Sequence, residues 1–204
     1  MGEPILLVFA SRNADKIAEL RHALAGLPLS VRGAADIPGV PEVEETGATL
    51  AENALLKARA VAAATGALAL ADDTGLEVDA LGGAPGVASA RFAGPEQDYA
   101  RNLALLLERM RRVPDGERGA RFRTVVAIRF PEGREVLAEG VCEGRILRAR
   151  RGSGGFGYDP LFWLPVRGKT FAEMSLEEKN LVSHRGRAMR AARVELEAYL
   201  EARS

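Results

Sequence analysis

Apolar residues along this chain fall into runs, alternations and helical spacings that predict a mixture of strands and helices. Ile5 to Ala10 is an unbroken apolar run of the kind a buried strand carries, and Ile17, Leu20 and Leu24 behind it keep the spacing of one helix face. The opening therefore reads strand, loop, helix, with Ser11-Arg12-Asn13 at the junction. Val31 falls in a short second strand, before the Pro- and Gly-broken segment Ile37 to Pro41 and the acidic run Glu42-Val43-Glu44-Glu45-Thr46-Gly47. Thr49 and Glu52 have the spacing of a capping box for an alanine-rich helix reaching about Thr65. Ala67 to Ala71 reads as an apolar strand that ends at Asp72-Asp73-Thr74-Gly75, with alternation from Leu76 to Asp79 and a glycine-rich turn from Leu81 to Gly86.

Pro95 is placed to open a helix carrying Leu103, Leu106 and Leu107 toward the basic end Arg109 to Arg112. Arg121 to Phe130 and Arg134 to Cys142 alternate around Pro131-Glu132-Gly133, which predicts an antiparallel hairpin. Gly152 to Asp159 and the residues beyond it read as loop, Ser175 and Glu178 as a second capping box, and a final helix runs from about Ser183 to the C-terminus. With no internal repeat and no low-complexity linker, residues 1–204 read as one α/β domain, a mixed sheet with helices on both sides.

Composition narrows the partners. Net charge is zero, so no global field draws the chain to nucleic acid or to an anionic membrane, and any anion binding has to be local. Cys142 is the single cysteine, which excludes a disulfide or thiolate metal site within the chain and leaves it as a small buried hydrophobe. No stretch approaches the roughly 20 apolar residues of a membrane span, and Met-Gly-Glu-Pro leads into strand-like sequence without a charged signal-peptide head. A cytoplasmic protein is expected. The basic residues are overwhelmingly arginine, so the four lysines, Lys16, Lys57, Lys169 and Lys179, stand out, and Asn13, Asn53 and Asn180 lie within four residues of one of them. An ammonium is a compact point charge that a rigid guanidinium fork does not replace. The pattern suggests lysines converging on an anion.

Two familiar fingerprints fail in context. Gly152-Ser153-Gly154-Gly155-Phe156-Gly157 fits the dinucleotide spacing, but Pro160 and Pro165 follow where that motif needs a helix. Gly168-Lys169-Thr170 resembles the end of a P-loop, yet Trp163 stands where its first glycine belongs. The acidic groups are more informative. Asp72 and Asp73 are successive residues of a strand, so their side chains face opposite ways: one can serve a site while the other holds the loop through backbone hydrogen bonds. Carboxylate oxygens are then the available metal ligands, favouring a hard ion such as Mg²⁺ that also touches phosphates, with Glu44 and Glu45 the second source. Lys57 and Asn53 share a helix face. Ser11, Asn13 and Lys16 surround a helix N-terminus, where exposed N–H groups favour phosphate. Phe156-Gly157-Tyr158-Asp159-Pro160 sets aromatic faces and a carboxylate in a tight loop, a combination that can stack on a base and accept from its edge. Each piece also has a plain structural alternative: helix cap, solvated acidic loop, aromatic core turn, or, for His184, a water-exposed capping residue.

Taken together, Ser-x-Asn-x-x-Lys, Glu-Glu-Thr-Gly, Glu-Asn-Ala-x-x-Lys-Ala, Ala-Asp-Asp-Thr-Gly, Gly-Gly-Ala-Pro-Gly, Gly-Gly-Phe-Gly-Tyr-Asp-Pro and Ser-His-Arg-Gly resemble, in order and spacing from residue 6 to residue 191, the inosine triphosphate pyrophosphatase family. The resemblance implies an elongated two-lobed α/β fold around a long mixed sheet, a substrate cleft between the lobes, and a homodimer. It implies hydrolysis of dITP, ITP and XTP, with Mg²⁺, to the monophosphate and pyrophosphate. By position it assigns Ser11, Asn13 and Lys16 to the phosphates and Glu44 and Asp73 to the metal, with Asp73 also the base that takes the proton of the attacking water. Thr74, Phe156, Gly157, Tyr158, Asp159, Lys179, His184 and Arg185 would contact substrate, the last group near the base. Lys57 is expected to be needed for turnover beside Asp73. Arg12 stands where the family usually has a small residue, adding a phosphate contact or facing solvent, and Glu45 is the alternative to Glu44. Competing readings are a septum-inhibitor-type pyrophosphatase acting on modified pyrimidine nucleotides, and a nucleic-acid binding module using Arg145, Arg148, Arg150 and Arg151.

Overall fold

The structure, a computed structural model, describes residues 3–203; Met1 and Gly2 of the expected leaderless start, and Ser204 at the tip of the expected final helix, lie outside them. Among the described residues eight strands form one mixed sheet: β1 Ile5–Phe9, β2 Leu29–Gly33, β3 Leu68–Val78, β4 Pro85–Gly86, β5 Gly119–Arg129, β6 Glu135–Ile146, β7 Phe162–Leu164 and β8 Lys169–Thr170. The order across it is β2-β1-β3-β5-β6-β7-β8, with β4 against β3. β1 runs parallel to both β2 and β3, and β6-β7-β8 are antiparallel. Five helices accompany it among the same residues: α1 Ala14–Ala23, α2 Leu50–Thr65, α3 Tyr99–Arg109, α4 Leu176–Val182 and α5 His184–Glu201. None of the described helices is long and apolar enough to cross a membrane.

The helix starts follow from local chemistry. Asn13 caps α1, its Oδ1 accepting the N–H groups of Asp15 and Lys16. Thr49 Oγ1 caps α2 through the Glu52 N–H, but Glu52 reaches back to the Ala48 N–H rather than to that of Thr49, and Gly66 closes the helix in the left-handed conformation. The Ser175–Glu178 box before α4 is reciprocal, as its spacing predicts.

Three expectations need correction. The strand entering Asp72-Asp73 does not stop there, because β3 runs on to Val78 as the alternation after Gly75 continues the same ladder. The helix expected at Pro95 begins at Tyr99, since Asp98 Oδ1 takes the Ala100 and Arg101 N–H groups and Gln97 before it sits at positive φ. The stretch after Asp159 is not all loop: Phe162–Leu164 and Lys169–Thr170 pair across a tight turn through Gly168.

The chain folds as two compact units of interleaved segments. The first takes residues up to Asp73, Thr124–Gly140 and the chain from Arg185 onward. Its core joins Leu7, Phe9, Leu20, Leu68 and Leu70 to Val126, Ile128 and Phe130 and to Ala188, Met189, Ala192 and Leu196 of α5. The second comprises Thr74–Arg123 and Val141–His184, with a core of Leu76, Val78, Leu103, Leu106, Phe122, Phe162 and Phe171 in which Cys142 is buried as expected. In that unit the buried Arg118 is held by carbonyls rather than by a carboxylate. Its guanidinium donates to the carbonyls of Met110, Val113, Ile146 and Leu147, tying the end of α3 to the end of β6.

Candidate functional site

In the first unit the alternation of β3 separates its two aspartates into different networks. Asp72, 1% exposed, accepts from Lys16 Nζ at 3.1 Å through Oδ1 and from Arg185 Nε and Nη2, each at 3.0 Å, through Oδ2. Arg185 Nη1 in turn donates to Glu19 Oε2 at 2.7 Å. Burial alone would push the Asp72 carboxyl up, but Lys16, Arg185 and Lys57 outweigh it and hold the group well below the usual carboxylate range. Asp72 therefore organises cationic side chains. The arginine expected to contact substrate has its guanidinium turned inward, 1% exposed and shared by two carboxylates.

Asp73, also buried, meets α2. Its Oδ1 accepts from Lys57 Nζ at 3.2 Å and its Oδ2 from Asn53 Nδ2 at 3.3 Å. Lys57 Nζ also donates to Glu45 Oε1 at 2.5 Å. Burial raises the Asp73 pKa; Lys57 opposes this and the Glu45 charge adds to it, so the carboxyl stays above its ordinary value. Burial would lower Lys57, but Asp73, Asp72 and Glu45 together raise it. Lys16 is lowered, by burial first, with Arg185 and Lys57 adding to that against Asp72.

The other expected phosphate and metal residues are placed as follows. Ser11 Oγ accepts the Asn13 N–H and Asn13 caps α1, so both hydrogen-bond as local structure. Arg12 is exposed, its guanidinium 3.4 Å from the Val40 carbonyl. Glu45 is the glutamate that Lys57 holds, whereas Glu44 is exposed on the same loop. Asp73 and Glu45 thus share one ammonium and present oxygen donors suited to a hard cation, but among the described residues no three acidic, His or Cys side chains are arranged to hold a metal ion by themselves. A metal ion here would complete its shell with water or substrate oxygens.

The second unit carries the aromatic cluster. Gly155 turns in the left-handed region, φ 68°, where a Cβ would meet Asp159 Oδ2, and that carboxylate accepts from the Phe156 N–H at 2.9 Å and from Lys179 Nζ at 2.7 Å. The Lys179 ammonium lies 4.7 Å from the centre of the Phe156 ring. Gly157 is half-buried at positive φ, and Thr74 is half-buried in β3. Tyr158 is buried and donates its hydroxyl to the Ser89 carbonyl at 2.9 Å, with burial pushing the phenol up, so its polar end anchors the loop. His184 is no exposed cap: it is 3% exposed, and its ring stacks on Phe122 with centroids 4.6 Å apart.

Sequence reasoning gave no role to two residues that the structure places in these networks. Asn53, fully buried against Asp73, was signalled by its helix-face spacing to Lys57. Glu19, buried against Arg185, carries no sequence mark that separates it from other glutamates. Of the arginines offered for nucleic acid, Arg148 pairs with Asp115 and Arg151 with Glu173, while Arg145 and Arg150 donate to the carbonyls of Asp115 and Ala100.

These networks lie within a stretch that known proteins match closely. The dITP/XTP pyrophosphatase of Desulforamulus reducens is 54% identical over 186 residues, covering 91% of this chain and 92% of that protein. One from Thermus thermophilus is 54% identical over 193 residues, covering 95% of this chain and 91% of that protein. Among solved structures, a HAM1 protein from Coxiella burnetii superposes with a TM-score of 0.86 at 40% identity, over 95% of this chain and 99% of that one. The Ham1 family model matches residues 7–194, and the chain belongs to the Ham1 family.

Proposed function

We propose that the protein hydrolyses dITP, ITP and XTP to the nucleoside monophosphate and pyrophosphate, clearing deaminated purines from the nucleotide pool. The observation that carries this reading is the Asp73–Lys57–Glu45 cluster, a buried carboxylate with a raised pKa beside an ammonium and a second carboxylate, in a chain about half identical to dITP/XTP pyrophosphatases. Water adds to phosphorus at the α–β bridge, the bridging P–O bond breaks, and the proton of the water passes to Asp73. A positioned carboxylate that takes this proton contributes about 10²- to 10⁴-fold. Lys57 and Lys16 offset the charge that collects on the phosphate oxygens.

Enzymes of this type generally need a divalent metal ion. Asp73 with Glu45 or Glu44 would hold Mg²⁺, which when bound supplies further neutralisation of the phosphates. Phe156, Gly157, Asp159, Lys179 and His184 inspect the base. Inosine and xanthosine carry an acceptor at purine position 6 where adenosine carries a donor, and buried donors left unpaired by the wrong base discriminate by as much as about 10⁴-fold. The protein acts in the cytoplasm as a homodimer on a free nucleotide, with neither nucleic acid nor membrane as partner.

Pyrophosphate release measured on dITP, XTP, ITP, GTP, ATP and dTTP, with and without Mg²⁺, tests the proposal. Metal-dependent release favouring the first three by at least about 10²-fold over ATP is expected. Equal rates on ATP, or a preference for dTTP, would refute it. Light scattering of the purified protein checks the dimer.

A further inference from the structure

Asn53 is completely buried on α2, one turn before Lys57, and its carboxamide is used at both ends. Its Nδ2 donates to Asp73 Oδ2 at 3.3 Å, and its Oδ1 accepts the Gly47 N–H at 2.7 Å. The amide orientation follows from chemistry, because a flipped group would set its oxygen against a carboxylate and its NH₂ against an N–H. Lys57 makes the parallel connection, from Asp73 Oδ1 to Glu45 Oε1. Two side chains four residues apart thus form two rungs between the same β-strand carboxylate and the same acidic loop. One rung is an ion pair and the other is neutral. Gly47 is needed for the second: a Cβ there would come 2.7 Å from Asn53 Oδ1 and 2.7 Å from Glu52 Cβ.

We propose that Asn53 is a positioning residue for the hydrolysis proposed above, fixing the rotation of the Asp73 carboxylate and the register of the Glu44–Gly47 loop against it. The inference rests on Asp73 serving as the base. A charged nucleotide competes for the Lys57 ammonium, whereas the Asn53 carboxamide carries no net charge and has both ends engaged, on the Asp73 carboxylate and on the Gly47 N–H. The neutral rung is the one that persists through a catalytic cycle, and without it both the base and the loop lose their common reference. Misplacement of about 1 Å at a reacting group costs about 10²-fold in rate.

The test compares Asn53→Asp, Asn53→Ala and Gly47→Ala in the full-length protein by two readouts, steady-state kinetics on ITP with Mg²⁺ and amide hydrogen exchange at residue 47 without nucleotide or metal. Asn53→Asp keeps the acceptor for the Gly47 N–H but sets an oxygen against Asp73; kcat should fall about 10²-fold with KM changed less than about threefold, while exchange at residue 47 stays slow. Asn53→Ala should lose both, with exchange at least about tenfold faster. Gly47→Ala breaks the loop end alone and carries the loop test if Asn53→Ala does not fold. Wild-type kcat in Asn53→Asp would overturn the positioning of Asp73, and unchanged exchange in the alanine variants would overturn the hold on the loop. Failure of the hydrolytic reading is separately visible, since the wild-type protein would then release no pyrophosphate while the exchange pattern still formed.

Discussion

Replacing Asp72 by asparagine keeps the shape of a side chain that is 1% exposed but removes the charge to which Lys16 and Arg185 are both bound. An asparagine keeps one acceptor oxygen, so the loss is either the bond from Lys16 or the pair from Arg185, and its NH₂ group is set against whichever cation has lost its oxygen. Breaking a buried ion pair on one side costs about 3–5 kcal/mol, because the stranded charge cannot recover its hydration. Glu19 still grips the Arg185 guanidinium from its other edge at 2.7 Å, which places the expected loss at the lower end, about 3 kcal/mol. In a chain of this size each kcal/mol moves Tm by about 2–4 °C, so calorimetry at pH 7 should find the variant about 6–12 °C lower. The pH dependence has a definite sign. The folded pKa of Asp72 is depressed below the unfolded value of about 3.9, so its contribution is complete at neutral pH and fades as the unfolded chain becomes protonated below about pH 5. The gap between wild type and variant should therefore stay constant above that pH and shrink below it. A shift under about 2 °C at pH 7, or a gap that widens on acidification, would refute the assignment of Asp72 as the hub of this network.

Asp73→Asn should lower turnover of ITP by about 10²- to 10⁴-fold while calorimetric binding of the nucleotide changes little; near-normal turnover would remove Asp73 from the role of base. Arg118→Ala strands the carbonyls at the ends of α3 and β6 and should cost about 3 kcal/mol in urea denaturation without altering kcat/KM, and Arg118→Lys should recover little because an ammonium cannot fork to four acceptors. Gly155→Ala forces a Cβ into Asp159 Oδ2 at a left-handed position, so KM for ITP should rise with kcat largely retained, and an unchanged KM would exclude this loop from base recognition.

The sheet was legible wherever periodicity is strong: β1, the β5–β6 hairpin and the cap of α2 lie where apolar spacing and capping chemistry put them. β7 and β8 escaped because strands of three and two residues carry no periodic signal, and α3 starts late because Asp98 competes with Pro95 for the first turn. In the site, the motifs named nearly every residue but not its partners. Sequence spacing cannot tell that Asp72 and Arg185, 113 residues apart, are bonded, or that Tyr158 spends its hydroxyl on Ser89. His184 reads as exposed because a helix start usually is, and the Phe122 ring that covers it comes from a distant strand.

The first unit is assembled from segments that leave the ribosome at very different times. A nascent chain halted before residue 185 would hold Leu7, Phe9, Leu68 and Leu70 without the α5 side chains that cover them, and Asp72 and Glu19 would wait for a guanidinium not yet translated. Folding of this half thus waits for α5 to be synthesised, and products truncated before it should be readily degraded by proteases that leave the finished protein intact.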